Sequence, residues 1–409
     1  MKSTYIKIIF AIFFVISITT KAQPFTKKYI MAYHTCNANC NGFSDHITHL
    51  VESDDGENWS LVPNFEPYQT SVPDVIIRGE KLYIFSPRGV KRYDRLTDTW
   101  DSDQTFVEIF DKNNQPVQYV DPSAIIDDQG RIVLFFLNST GSTGDPAGCP
   151  TLPCTKYFDS AVEIDGSDGT MFRLQDGHRA EIQLEQSPAS ASDPDIFYDG
   201  SQYILYISQG ANTLAYHGDS LHGSYVPISS INGVLTHEGG VPCGYYDPDT
   251  QQYWTYVHGN DAGSTVIKRA VHSDFSMQPN NFTTVINYSL IGDPMTTTSE
   301  SPSICVNTFL TTSNDDVDLK PKEFYLKQNY PNPFNPSTNI EFSLIEASNV
   351  TLDVSNVLGE TVEIILDDKR MSAGKHIVKF NGNNLSSGIY FYRLVSGNGT
   401  IVRKMILSK

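Results

Sequence analysis

Acidic side chains stand beside prolines at several points in the chain. Asp121 and Asp193 each precede a proline, and Asp74 and Asp195 each follow one. Carboxyl groups act as general acids and bases when burial and neighbouring charges separate their pKa values. An Asp before proline also commonly opens a turn, where its carboxyl only caps backbone N–H groups. The sequence leaves both roles open for these residues.

Four more polar residues lie in segments that could reach the same site. Glu238 comes shortly before Pro242 and is a candidate general acid, with His237 beside it as a candidate ligand-binding residue. His178 and Arg179 lie in a long insertion, from which they could contact a ligand at the rim of the site. The sequence contains no Ser-His-Asp elbow, phosphate-binding loop or zinc-binding helix.

The strands that would position these residues follow a repeated pattern. A proline is followed by an apolar strand, a turn that often contains Gly, and an aromatic-rich strand. The prolines are spaced 48 to 72 residues apart, and periods near 50 residues with several short strands each are typical of a β-propeller. The five prolines are Pro73, Pro122, Pro194, Pro242 and Pro302.

The two ends of this region predict how the propeller closes. The strand after Pro302 has no aromatic-rich strand following it, and residues 28–33 form an aromatic strand with no proline-marked strand before them. If these two strands pair, the ring closes with five blades and leaves no open sheet edge. We therefore predict an all-β fold with a five-bladed propeller over residues 23–310; a β-sandwich with fortuitous prolines is the alternative.

The termini and the composition indicate an exported protein. Residues 1–22 combine a basic start, an apolar run of about 11 residues and a small residue at the exit, which is typical of a cleaved secretory signal. No later segment is apolar enough to predict a transmembrane helix in the mature chain. The net charge of −18 argues against a nucleic-acid partner, because phosphate binding needs a basic surface.

In an exported chain, cysteines more often form disulfides than redox or zinc sites. The six cysteines contain no Cys-x-x-Cys motif, and nearby histidines lack the spacing of zinc ligands. Sequence proximity pairs four of them, and the remaining two would join over a long range. The predicted disulfides are Cys36–Cys40, Cys149–Cys154 and Cys243–Cys305.

A polar, acidic linker at residues 311–322 separates the predicted propeller from a C-terminal segment with a different sequence pattern. Residues 323–409 contain about seven short segments of alternating polar and apolar residues, which predict a small immunoglobulin-like β-sandwich. The segment NYPNPFNPSTNIEFSL and the run ending in SSGIYFYRLVSGNGTIVRKMILSK resemble the type A C-terminal sorting domain of type IX secretion. That resemblance implies transit through the periplasm, recognition by the secretion machinery, and a secreted or cell-surface location.

The segment VDPSAIIDDQGRIVLFF resembles the second-blade signature of family 43 glycoside hydrolases. In that family a carboxylate acid and base hydrolyse a glycosidic bond, and the resemblance implies that Asp121 tunes the site. The position of the general base holds Val72, which leaves Asp74 or Asp193 for that role. The position of the general acid holds Asp193 rather than Glu, which leaves Glu238 as the nearest candidate. The resemblance also allows a structural Ca²⁺ on the propeller axis, although the sequence itself shows no calcium-ligand spacing.

These observations give two hypotheses for function. The first is a secreted glycoside hydrolase that acts on a polysaccharide or oligosaccharide. The alternative is a non-catalytic surface propeller that binds carbohydrate or protein. The acids at the strand starts favour the enzyme, and the departures from the family 43 pattern favour the binding protein.

Overall fold

The computed structural model describes residues 25–37, 45–87, 89–142, 145–149, 151–185, 190–292, 296–312, 324–329, 331–345, 348–371, 374–397 and 399–409. Contacts divide the chain into two compact units, one of residues 1–125 and 133–307 and the other of residues 126–132 and 308–409. The predicted signal peptide, Cys40 and residues 313–322 of the predicted linker lie outside the described residues. Among the described residues, no helix is both long and apolar enough for a membrane span.

The fold is all-β, as predicted. The described helices are three short 3₁₀ turns, at Ser229–Ile231, Tyr288–Leu290 and Thr308–Thr312. The strands up to residue 138 are β1 (Tyr29–Asn37), β2 (Ile47–Ser53), β3 (Ser60–Leu61), β4 (Tyr68–Gln69), β5 (Asp74–Arg78), β6 (Lys81–Ser86), β7 (Gly89–Asp94), β8 (Thr99–Trp100), β9 (Glu108–Phe110), β10 (Pro116–Val117), β11 (Tyr119–Ile126) and β12 (Ile132–Asn138). They are followed by β13 (Cys154–Glu163), β14 (Met171–Leu174), β15 (Ala180–Leu184), β16 (Ser192–Tyr198), β17 (Tyr203–Gln209), β18 (Asn212–Gly218), β19 (Val226–Pro227), β20 (Val234–Thr236), β21 (Gly240–Asp247), β22 (Gln252–Asp261), β23 (Ser264–His272), β24 (Thr283–Ile286) and β25 (Thr296–Val306).

Five strands contain or directly follow one of the repeated prolines, and we call β5, β11, β16, β21 and β25 the proline-marked strands. Each one leads a series of neighbouring hydrogen-bonded strands. The five series are β5-β6-β7-β8, β11-β12-β13-β14, β16-β17-β18-β19, β21-β22-β23-β24 and β25-β1-β2-β3. The predicted pairing of the strand after Pro302 with the N-terminal strand is confirmed, since β25 and β1 are antiparallel partners with Met31 opposite Ile304.

The backbone is strained at one equivalent position in every proline-marked strand. The residue before each proline has a positive φ, between 45° and 53°, although it is never glycine. This conformation is uncommon for L residues and a true outlier for β-branched Val72 and Val241. Strand pairing slips at three of these places, between Ser192 and Asp195, between Gly240 and Cys243, and opposite Ser301. The pre-proline residues are thereby turned out of the ladder, as bulges do.

A closed ring of hydrogen bonds joins the five proline-marked strands. In each strand, the side chain directly after the proline accepts a backbone N–H from the next proline-marked strand, and all five of these side chains are buried. The five bonds run from Ala124 N to Asp74 Oδ2 (2.8 Å), Ile196 N to Ser123 Oγ (3.1 Å), Gly244 N to Asp195 Oδ2 (2.7 Å), Ile304 N to the Cys243 thiol, and Val75 N to Ser303 Oγ (2.9 Å). We call this set the girdle.

The disulfide prediction is confirmed for one pair and wrong for another. Cys149 and Cys154 are bonded, and Cys36 is also in a disulfide. Cys243 and Cys305 are free thiols. The reason lies in the girdle, where the Cys243 sulfur takes the place of the Asp or Ser oxygen in the other strands and accepts the N–H of Ile304.

The C-terminal unit consists of two sheets around one core. Its strands are β26 (Tyr325–Leu326), β27 (Ser337–Leu344), β28 (Ser348–Ser355), β29 (Thr361–Met371), β30 (Gly374–Asn381), β31 (Gly388–Ser396) and β32 (Gly399–Leu407). They form a sheet β26-β27-β30 and a sheet β29-β28-β31-β32. Both sheets contribute to one buried cluster, with Ile340 and Phe342 from the first and Leu352 and Leu394 from the second.

The proline-rich segment before β27 is fixed to this unit by its Asn and Phe residues. The backbone N–H of Asn329 donates to the Tyr392 hydroxyl, and its side chain donates to the Thr338 hydroxyl. Asn332 Oδ1 accepts the backbone N–H of Ile406, and Phe334 is buried beside the last strand. Its prolines lack a backbone N–H, and the segment pairs with β32 at a single position, where the N–H of Phe334 donates to the Ile406 carbonyl.

The girdle predicts a stability loss when Asp74 is replaced by Ala. Asp74 accepts both the N–H of Ala124 and the hydroxyl of Ser303, and burial leaves neither donor a water partner. An unsatisfied buried polar group costs about 1–3 kcal/mol, so we expect Asp74→Ala to lower the unfolding free energy by at least about 2 kcal/mol. Chemical denaturation measures it. Asp249→Ala removes an exposed carboxylate and should change stability by less than about 0.5 kcal/mol; equal effects of the two variants would contradict the girdle's role.

Candidate functional site

The five strained pre-proline residues line one cavity. This central cavity has a volume of about 310 Å³ and is also lined by His34, His46, Asp145 and Glu300. Volumes of about 300–1,000 Å³ are usual for small-molecule sites. The shared strain at this cavity is of the kind that proteins retain at functional sites. The converging residues are Val72, Asp121, Asp193, Val241 and Ser301.

Two histidines hold the carboxylate of Glu300 in the wall of this cavity. His34 Nε2 lies 3.2 Å from Glu300 Oε1, and His258 Nδ1 lies 3.0 Å from Glu300 Oε2. The backbone N–H of Val72 donates to His34 Nδ1 at 3.2 Å. His34 must therefore carry its proton on Nε2 when neutral, and it donates that proton to Glu300.

The carboxyl groups of the central cavity have pKa values displaced in opposite directions. Burial alone would raise the pKa of Glu300, but the N–H groups of His258 and His34 outweigh it and hold the pKa well below its usual range. Burial raises the pKa of Asp121, and the neighbouring Asp193 carboxyl adds to the rise. Burial also raises the pKa of Asp193, with a further contribution from the charge of Glu300. One site thus combines a group that favours its charge with two that favour their protons.

Two of the four predicted aspartates do not line the central cavity. Asp74 and Asp195 are buried in the girdle, where their carboxyl oxygens accept backbone N–H groups. Burial raises the pKa of Asp74 to about 7, against the opposing hydrogen bonds from Ser303 and Ala124. Regular alternation would put residues two positions apart on the same side of the strand. The positive φ of the pre-proline residue breaks that alternation, and where the pairing also slips it does so as in a β-bulge, so the residue before the proline faces the cavity and the residue after it faces the girdle. Asp74 as general base and Asp195 as ligand-binding residue have no support in this arrangement.

His237 and Glu238 line a neighbouring cavity of about 340 Å³, which we call the polar cavity. Glu238 lies 3.6 Å from the Lys268 amine, and His237 Nδ1 lies 2.7 Å from Asn212 Oδ1. The polar cavity shares the side chain of Glu300 with the central cavity. Glu238 is therefore close to the carboxyl cluster but does not line the cavity in which that cluster lies.

Arg179 and His178 serve the fold instead of the cavity. Arg179 is buried, and its guanidinium donates to the backbone carbonyls of Gly223, His222 and Gly177, among others. His178 Nδ1 contacts the carboxyl of Asp159 at 2.5 Å. Neither lines the central cavity among the described residues, so their predicted ligand contacts are not supported.

Sequence reasoning missed Glu300 and the histidines that hold it. Glu300 lies two residues before Pro302, so it was not among the carboxyls predicted from positions adjacent to a proline. The irregular pairing of β25 with β1 brings Glu300 opposite His34. The sequence did contain a signal for this pair. Glu300 lies two positions before a proline that starts a strand, and His34 follows the N-terminal aromatic strand that was predicted to pair with it.

One group of side chains has the residue types of a metal site. Among the described residues, His34, Cys36 and His46 bring three ligand atoms within 4.8 Å of one another. Cys36 is bonded in a disulfide and therefore cannot supply a thiolate. Calcium prefers oxygen ligands, so this group does not fit the axial Ca²⁺ that the family 43 resemblance allowed.

Residues 328–408 match the family described as a secretion system C-terminal sorting domain. This segment of the chain is a sorting domain. The sorting domain implies export of the chain to the cell surface or the medium, and its strands and buried Phe334 are those of the C-terminal unit described above.

Solved structures that resemble the chain include several glycoside hydrolases. An endo-1,4-β-xylanase from Bacteroides thetaiotaomicron is 16% identical, with 63% of this chain and 92% of that chain covered at a TM-score of 0.40. A thermostable family 43 glycoside hydrolase is 10% identical, with 62% and 94% covered at 0.41. A family 117 glycoside hydrolase from Zobellia galactanivorans is 13% identical, with 74% and 88% covered at 0.32. No curated protein matches the chain. At these TM-scores the functional argument rests on the side chains of the central cavity.

Opposite pKa displacements predict opposite effects on stability. The lowered pKa of Glu300 stabilises the fold above the unfolded value of about 4.3, and this contribution is lost as the pH falls. The raised pKa of Asp193 does the reverse, because ionisation above about 3.9 is penalised only in the folded chain. At pH 8 we therefore expect Glu300→Gln to lower, and Asp193→Asn to raise, the melting temperature by about 2–4 °C.

Differential scanning calorimetry at pH 8 and pH 3.5 measures both effects. At pH 3.5 the Asp193→Asn difference should nearly disappear, because Asp193 then carries a proton in the folded and mostly in the unfolded chain. The Glu300→Gln difference should become smaller but remain, because the unfolded chain takes up a proton there while folded Glu300 stays charged. Shifts of the same sign at pH 8, or an Asp193→Asn shift of unchanged size at pH 3.5, would contradict this division of the site.

Proposed function

We propose that the chain is a secreted glycoside hydrolase whose catalytic carboxyls meet in the central cavity of a five-bladed propeller over residues 23–310. The observation that carries the proposal is the contrast between charged Glu300 and the proton-retaining pair Asp121 and Asp193. Hydrolysis of a glycosidic bond with inversion needs such a contrast, with one carboxyl as acid and one as base. The five series of strands led by proline-marked strands support the ring geometry.

The proposed reaction follows from the protonation states. Asp193 would donate its proton to the glycosidic oxygen as the bond to the anomeric carbon breaks, and burial together with the charge of Glu300 would keep the pKa of Asp193 high. Glu300 would take a proton from a water molecule whose oxygen attacks the anomeric carbon. The products are a free reducing sugar and an alcohol on the leaving chain, and the two carboxyls then exchange the proton through solvent. The raised pKa suits Asp193 to the acid role better than to the base role suggested by the sequence.

The histidines have a defined part in this proposal. A general base is effective only where it is charged, and the N–H groups of His34 and His258 keep Glu300 charged well into the acidic range. His46 stacks on His34 with 4.6 Å between ring centroids and fixes the imidazole from the other side. These histidines position Glu300 without taking up the proton of the substrate water.

A non-catalytic glycan-binding propeller is the second candidate. Val72 and Val241 occupy two of the five pre-proline positions, so the cavity lacks a carboxyl at the place where family 43 enzymes carry their base. A binding protein would keep the cavity and its polar groups without needing the pKa contrast. Sugar binding without turnover would favour this candidate.

The export route completes the proposal. A secretory signal at residues 1–22 would carry the chain to the periplasm, and the sorting domain at 323–409, of immunoglobulin-like architecture, would deliver it to the type IX machinery. The linker at 311–322 would separate the two folded parts. Acting outside the cell suits a hydrolase for polymeric glycans, which do not cross membranes.

Replacement of the cavity carboxyls should abolish hydrolysis. We expect Glu300→Gln and Asp193→Asn each to lower kcat by about 10²–10⁴-fold, the range of general acid–base catalysis. The measurement is release of reducing sugar or nitrophenol in a screen of nitrophenyl glycosides and plant and algal polysaccharides. The wild-type pH profile should be bell-shaped, with the acidic limb from Glu300 and the alkaline limb from the aspartate pair.

Two further variants sharpen this test. Asp249→Ala, which removes an exposed carboxylate that pairs with Lys28 on the surface, should keep wild-type activity. Glu238→Gln tests the acid suggested by the sequence, and a loss as large as that of Glu300→Gln would transfer the acid role to Glu238. A wild-type protein that binds glycans and turns over none of them would replace the hydrolase with the binding protein.

Removal of residues 323–409 should block export. The truncated chain keeps its own signal but loses the segment that matches the sorting domain, so it should accumulate in the periplasm of the native host. Cell fractionation with detection of the propeller measures this, and a chain with only residues 311–322 deleted is the matched control. Equal surface or medium levels of truncated and full-length chains would contradict the role of the sorting domain.

A further inference from the structure

The central cavity adjoins two other cavities. The polar cavity shares Glu300 with it. A cavity of about 360 Å³ lined by Phe106, Ile109, Val117 and Tyr119, which we call the aromatic cavity, shares Pro87 with it. The cavity that holds the carboxyl cluster is therefore the one that both other cavities adjoin.

The chain itself links the aromatic cavity to the carboxyls. Tyr119 lines the aromatic cavity, and the next two residues of β11, Val120 and Asp121, line the central cavity. At the contact with the polar cavity, His258 lines the polar cavity and holds Glu300 by its Nδ1. A ligand that extends from the carboxyl cluster in either direction would enter one of the two flanking cavities.

Phe106 is an exposed aromatic ring on a fixed backbone. Its side chain is 70% exposed, whereas the next residue, Val107, is buried. Thr105 and Val90 exchange two backbone hydrogen bonds of 2.8 Å, and the guanidinium of Arg92 donates to the Thr105 hydroxyl at 2.8 Å. Gly89 permits this approach, because a Cβ there would lie 2.2 Å from the Thr105 carbonyl oxygen. The backbone beside the ring is therefore fixed, and the ring itself is accessible to a ligand at the aromatic cavity.

The two flanking cavities suit different faces of a sugar. The apolar walls of the aromatic cavity fit the C–H face of a pyranose or furanose ring against Phe106. The polar cavity offers His237, Asn260, Thr265 and Lys268 as hydrogen-bond partners for hydroxyl groups. Both chemistries belong to one class of ligand, a carbohydrate chain.

We propose that the substrate is a linear glycan that spans the aromatic, central and polar cavities, so that an internal linkage of the chain meets the carboxyl cluster. This inference rests on the proposed hydrolase function and adds the mode of attack. Sugar units on both sides of the cleaved bond are bound, and the enzyme cleaves within chains. An enzyme that removes terminal sugars would need a closed wall on one side of the carboxyls.

Oligosaccharide length tests the proposal. Affinities of the full chain for linear xylo-, arabino- and cello-oligosaccharides of two and six units are measured by titration calorimetry, with Glu300→Gln in every protein to prevent cleavage. We expect the six-unit chain of the preferred sugar to bind at least about tenfold more tightly than the two-unit chain. Phe106→Ala should reduce this ratio about tenfold, because an aromatic contact contributes up to about that factor.

Matched variants distinguish the loss of the aromatic contact at Phe106 from a disturbance of the fold. Phe106→Tyr keeps a ring and should keep the ratio. Leu96→Ala removes a side chain that is 75% exposed elsewhere on the same unit and should also leave the ratio unchanged. The double variant His237→Ala, Asn260→Ala should also reduce the ratio, because it removes two hydrogen-bond partners from the polar cavity.

The outcomes distinguish this inference from the hydrolase function. The wild-type protein should cut the six-unit chain into mixed internal products from the first minutes. Release of single terminal sugars, equal affinity for both lengths, or a ratio that Phe106→Ala leaves unchanged would overturn the spanning mode while hydrolysis stands. Failure to bind or cleave any of these sugars, or any polymer of the screen above, would overturn both.

Discussion

The hydrogen bonds of the girdle connect the five proline-marked strands of the larger unit. In each bond, a backbone N–H of one strand donates to a side chain of its neighbour. Among the described residues, strand pairing joins two of these series only at Thr265 of β23 and Thr298 of β25, so the girdle supplies most of the bonds between series. Its acceptors are buried, and a buried donor that loses its acceptor costs about 1–3 kcal/mol. The positions of Asp121, Asp193 and Glu300 depend on this ring, because each lies within three residues of a girdle acceptor or donor.

The girdle and the central cavity use the same repeated segment for opposite purposes. The residue after each proline is turned inward to a backbone donor, and the residue before it is turned to the cavity with a positive φ. Two aspartates in one short segment, Asp193 and Asp195, therefore have different roles. Asp193 shares the central cavity with other carboxyls, whereas Asp195 accepts a hydrogen bond from the Gly244 N–H. Such a segment can change its cavity residue without losing its structural bond, which explains how Val and Ser can stand where Asp stands in other strands.

The sequence predicted much of the fold because proline and aromatic residues mark strand starts and ends physically. The proline pattern identified the five marked strands, and the missing partner of residues 28–33 predicted the pairing of β1 with β25. It predicted all four aspartates at the candidate site, but only Asp121 and Asp193 line the central cavity, because the side that a residue faces depends on bulges that shift the register by a residue. Glu300 escaped notice for the same reason. The Cys243–Cys305 bond failed as a prediction because cysteine can replace serine as a hydrogen-bond acceptor, which pairing rules for exported proteins do not consider.

The pairing of β1 with β25, the first and last strands of the larger unit, has a consequence for biogenesis. Strand β1 emerges early, but its partner β25 is separated from it by more than 250 residues of chain. Until Val306 has been delivered, the larger unit has an exposed edge and an incomplete girdle, and no partial product can assemble the cavity. The central cavity would thus be complete only after residues 296–306 have been made and have paired with β1.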